Sequence, residues 1–184
     1  MKLLASPKSL LVTLSLAGLF FGSPSQAGEA PINLSDFSMG MGDWFVEAQK
    51  GAKAQTTIDK GGDGPALRIQ ILQTGPEVWN VQLIRSKLGA TKGQRYMITF
   101  EGMVENGGGG SLYMWCQLQE DGGTYGIVGK GAGVGLTSNW QEHSVVFSAE
   151  TLEKEMIKAR LVFGNLGVAG KTIWIKNVKW STVD

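Results

Sequence analysis

Tyr113, Trp115, Gln117 and Gln119 occupy every second position of SLYMWCQLQ, with Leu112, Met114, Cys116 and Leu118 between them. Side chains at i and i+2 of a strand share a face. The segment therefore offers an apolar face to a core and, opposite, two aromatic rings followed by two amides. EVWNVQLIRS divides likewise, with Trp79, Val81 and Leu83 inward and Asn80 and Gln82 outward. In RYMITFEGMVE, Tyr96, Ile98, Phe100 and Val104 point inward and leave Met97, Thr99, Glu101 and Met103 outside. If these strands share one sheet, its outer face carries aromatic plates, amides and a carboxylate. Rings stack on the C–H faces of sugars, and planar amides and carboxylates pair with hydroxyls and discriminate their orientation. The pattern suits a saccharide, against the plainer reading of an aromatic pair under a loop beside surface glutamines.

Catalytic arrangements are harder to assemble. A glycosidase needs two carboxylates about 5 to 9.5 Å apart across a cleft. Of Glu77, Glu101 and Glu105, only Glu101 stands in mid-strand on the proposed face. His143 is the single histidine and reads as a core or half-buried residue, without a Gly-x-Ser-x-Gly nucleophile turn anywhere. Cys116, the single cysteine, allows no internal disulfide, so packing alone holds the fold. GIVGKGAGVG fails as a phosphate loop, since Gly131 follows Lys130 where Ser or Thr is required.

The elements that position these residues follow from glycine punctuation. Turn signals at KGGDGP, TGPE, ATKGQ, ENGGGGS, EDGG and GNLGVAGK separate seven short segments: ALRIQILQ, VWNVQLIRS, RYMITFEGMVE, SLYMWCQLQ, QEHSVVFSA, ARLVF and TIWIKNVKW. Each is rich in β-branched and aromatic residues and alternates with period two. That spacing predicts an all-β sandwich or jelly roll. Only AETLEKEMIK, 149 to 158, has helical composition, enough for a turn or two. ENGGGGS and EDGGTYGIVGKGAGVG read as glycine-rich loops bordering the face.

The chain has 184 residues. Lys2 and Lys8, an apolar run from Leu10 to Phe21 and Ser25-Gln26-Ala27 make residues 1–27 a secretory signal peptide, too short to span a bilayer. Residues 28–184 are then one domain, secreted or periplasmic, without a membrane anchor. With 17 basic and 16 acidic residues overall, the chain has no basic face of the kind nucleic acid requires.

Taken in order, these pieces resemble the CenC-type carbohydrate-binding modules, families 4 and 9 with their relative family 22. The resemblance runs from about Leu34 to Trp180 through NLSDFSMGMGDWFVE, GPALRIQI, VWNVQLIRSKLGATKGQRYMITFEGMV, LTSNWQEHSVVFSA, ARLVFGNLG and KTIWIKNVKW. It implies a jelly roll of two antiparallel sheets, the concave one holding a polysaccharide or oligosaccharide of the β-glucan or xylan class without catalysis. Carried over by position, Gln82 is the glutamine of the family's Val-Gln-Leu strand. Trp115, Gln117 and Tyr125 fall where such modules place ligand contacts. Tyr113, Asn80 and Glu101 join them from strand alternation alone. His143 stands where the family has Tyr. Asn177 stands where many members have Asp beside a structural calcium, with Asp36 the nearest partner; no cofactor is required, and loss of that charge weakens a calcium site. A monomer is expected. Two alternatives stay open: a jelly-roll glycoside hydrolase using Glu101, and a secreted structural or interaction protein that has lost sugar binding.

Overall fold

The computed structural model describes residues 30–35, 37–62, 64–105, 111–149 and 152–183. The expected leader, Asp36 and the glycines at 107–110 lie outside the described residues. Eleven strands are described: β1 (Ile32–Asn33), β2 (Trp44–Ala48), β3 (Lys53–Asp59), β4 (Ala66–Gln73), β5 (Val81–Thr91), β6 (Arg95–Glu105), β7 (Leu112–Glu120), β8 (Ile127–Leu136), β9 (Gln141–Ser148), β10 (Met156–Gly164) and β11 (Thr172–Val183). They form two antiparallel sheets packed as a sandwich. The front sheet has the order β2-β5-β10-β7-β8; the back sheet has the order β3-β4-β11-β6-β9, with β1 paired to the end of β11.

The seven expected strands are all present, and alternation assigns most of their faces correctly. Leu83, Met114, Cys116, Leu118, Leu161 and Phe163 of the front sheet are fully buried against Ile69, Ile98, Phe100, Phe147 and Ile173 of the back sheet. Each such side chain contributes about 1.5–3 kcal/mol by leaving water. Trp44 stacks on Phe163 at 5.8 Å between ring centres, and its indole Nε1 donates to the Leu34 carbonyl at 2.7 Å. Burial without a charged neighbour pushes the Cys116 thiol far up, which leaves it a core residue.

Two expectations are corrected. Where helical composition stands at 149–158, the described residues bend at 153–155 and enter β10 at Met156. Packing decides this, because Ala159, Leu161 and Phe163 continue the two-residue period into the core. And GIVGKGAGVG is a strand, β8, not a loop. A side chain at Gly131 would overlap Phe147 and the Cys116 carbonyl, and one at Gly133 would overlap the ring of Tyr113. Glycine there lets one ring pack beneath the strand and another lie over it.

Candidate functional site

Register across the front sheet sets its outward residues in rows. Trp115 lies opposite Gly164, and Gln82 lies opposite Glu47. In the next row Gln117 faces Val162, Val162 faces Ile84, and Ile84 faces Phe45. Gln119 and Arg160 pair in a third. Gly164 leaves the central strand bare between Trp115 and Gln82, which stand two strand spacings apart, about 10 Å. Ile84 and Val162 point away from the core cluster yet are fully buried. Neighbouring side chains therefore close over the middle of the face, and its border is polar and aromatic.

The border is held from several elements. Tyr113, 58% exposed, sits 6.4 Å from Trp115 with the rings tilted by 42°. A groove of about 290 Å³ lined by Val78, Tyr113, Asn165 and Val168 continues from that end. Trp79 is 40% exposed beside Lys50, whose Nζ is 5.2 Å from the ring centre. Its carbonyl accepts the Gln82 Nε2 at 3.1 Å, which fixes that amide and leaves the Gln82 Oε1 for another partner. At the opposite end Tyr125, on a left-handed turn residue, covers Arg160, with the guanidinium carbon 4.1 Å from its ring centre. Beyond the edge, Asp43 bonds Lys87 at 2.7 Å and Arg85 at 2.9 Å, which holds its carboxyl below the ordinary range.

No family model matches the chain, and neither does any curated protein. Solved structures do. A carbohydrate-binding module of family 4 superimposes with a TM-score of 0.62 at 20% identity, covering 84% of this chain and 96% of its own. The N-terminal cellulose-binding domain of Cellulomonas fimi β-1,4-glucanase C gives 0.58 at 18%, covering 84% and 99%. A family 11 carbohydrate-binding module from Clostridium thermocellum, in complex with a β-1,3-1,4-mixed-linked tetrasaccharide, gives 0.56 at 17%, covering 82% and 94%. The chain shares the β-sandwich fold of these modules.

On this fold, Gln82, Tyr113, Trp115 and Gln117 stand on strands of the front sheet, and Tyr125, in the turn between β7 and β8, lies against Arg160 of the same sheet. Two expected residues do not join them. Asn80 is fully buried in a 3-10 turn, Val78–Asn80, where its Oδ1 accepts the Glu77 amide at 3.0 Å. The strand begins at Val81 rather than Glu77, so the two-residue period fails before it and exchanges the two neighbours. Asn80 goes in, and Trp79, expected in the core, comes out. Gly75-Pro76 was the signal, turn chemistry that runs on to Asn80. Glu101 lies on β6 of the back sheet, facing the other side of the sandwich. There it accepts Asn177 Nδ2 at 2.6 Å and pairs with Lys176 at 3.4 Å, near a recess of about 360 Å³ lined by Met103, Trp140, Trp174 and Lys176. Arg160, bonded to Gln119, and Trp79 are front-face residues that strand alternation did not bring to the site.

Of the two residues expected near a structural calcium, Asp36 lies outside the described residues. Asn177 sits at a bulge in β11 with its amide nitrogen turned to Glu101. No three histidine, cysteine or acidic side chains gather there or elsewhere among those residues.

Proposed function

We propose that this protein is a secreted, non-catalytic binder that holds a polysaccharide of the β-glucan or xylan class across the front sheet. The observation that carries the reading is the row of Trp115, Gly164 and Gln82. It puts an aromatic plate and a fixed amide on either side of a bare strand, a width suited to a pyranose ring. Neighbours with the same fold support it, since one is a cellulose-binding domain and another holds a mixed-linked tetrasaccharide. The hydrolase alternative loses its residue, because Glu101 stands on the far sheet in an ion pair. The outward positions of the described front strands include a single carboxylate, Glu47, where acid/base hydrolysis requires two.

Calorimetry against soluble glucans, xylans and mannans tests the proposal. Binding to at least one polymer is expected, weakened roughly tenfold or more by Trp115→Ala or Gln82→Ala, as loss of about 1.4 kcal/mol implies. Glu101→Gln should bind like wild type and release no reducing sugar, also like wild type. Absence of binding to every polymer, or unchanged binding by both front-face variants, would overturn the reading.

A further inference from the structure

The central strand of the front sheet turns Lys158 and Arg160 outward, in line with Val162 and Gly164. Arg160 is only 9% exposed. Its Nε and Nη2 donate to one neutral acceptor, Gln119 Oε1, at 2.9 and 2.7 Å, and Tyr125 covers one face of the guanidinium. Among the described residues no carboxylate lies within 4.0 Å of it. Two other sequestered cations are supplied with one: Arg85 has Asp43 at 2.9 Å, and Lys176 has Glu101 at 3.4 Å. A guanidinium stays charged, and a charge removed from water without a counter-charge is unfavourable. Neither Glu47 nor Asp121 forms an ion pair with Arg160: Glu47 is opposite Gln82, two rows away, and the Asp121 Oδ2 accepts the Lys87 amide. Lys50, beside Trp79, adds a further cation at the far end of the same face.

We propose that the glycan held on this face carries carboxylates, as uronate residues do, and that Arg160 pairs with one of them. This rests on the front sheet being the glycan site and narrows its ligand class to acidic polymers such as a glucuronate-bearing xylan. Gln119 locks one edge of the guanidinium and Tyr125 occupies a face. Nη1 and the second hydrogen of Nη2 remain, the planar fork that matches a carboxylate.

The test is calorimetry of the protein with glucuronoxylan, with the same polymer after its carboxyls are reduced to hydroxymethyl groups, and with neutral xylan and glucan. The reduced polymer is expected to bind at least tenfold more weakly. That gap should shrink between about 20 and 200 mM salt, where the screening length falls to below 10 Å, and should vanish in Arg160→Gln. Equal affinity for the acidic and reduced polymers overturns the inference while leaving the front face a glycan site, provided Trp115→Ala weakens both. A gap that persists in folded Arg160→Gln overturns the role of Arg160. Absence of binding to all four polymers overturns both readings. The comparison of the two polymers uses the unaltered protein, so it decides even where the variant does not fold.

Discussion

At the scale of single residues, what alternation fixes is a side chain's face, provided the strand really begins where the pattern is counted from. Leu112, Met114, Cys116 and Leu118 are buried as their spacing dictates. Trp79 and Asn80 exchange places because a three-residue turn precedes the strand. His143 shows the other kind of legibility, a residue whose type is unusual and whose place is ordinary. Its ring packs 5.2 Å from Phe100 and its Nε2 is buried without a partner. Burial disfavours the imidazolium and holds the His143 pKa below its ordinary value near 6.5. The unfolded chain therefore takes up the proton first as pH falls. The stability from neutral His143 is complete above about pH 6.5 and is lost as pH drops from there to the folded-state pKa. Thermal melts at pH 5 and 7 should show a smaller acid decline in His143→Phe than in wild type. Equal declines would contradict the burial account.

At the scale of elements, β8 was the least legible strand. The glycines of GIVGKGAGVG recur at every second position from 129 to 135, but without side chains they give no apolar and polar faces to tell apart. What requires them lies elsewhere in the chain, Phe147 on one side and Tyr113 on the other. Packing across the sandwich replaces side-chain alternation as the cause of the strand. Gly131→Ala is accordingly expected to destabilise by about 1–3 kcal/mol in urea unfolding, as overpacking does. Gly135→Ala, which meets nothing within 4 Å, should stay within about 0.5 kcal/mol of wild type. Equal effects at the two positions would show that backbone freedom, not the neighbouring rings, is what the strand needs.

At the scale of the whole molecule, alternation says which side of its own sheet a residue takes but not which sheet the strand joins. Glu101 and Gln117 both point away from the core, and the strand order puts them on opposite sides of the sandwich. That order arises from pairings between segments distant in sequence, such as β5 with β10 and β6 with β11, which no local pattern encodes. The same pairings bring Arg160 beside Gln119 and so give the front face its charge. The front sheet is the proposed ligand face, and chemical-shift mapping of the bound protein tests it. Titration of the ¹⁵N-labelled protein with xylohexaose and a mixed-linked glucan tetrasaccharide should move the Trp115 and Trp79 indole signals and the Gln82 and Gln117 side-chain amides, leaving Trp140 and Trp174 unmoved. Shifts confined to Trp140, Trp174 and the residues around Glu101 would contradict it and place the site on the back sheet.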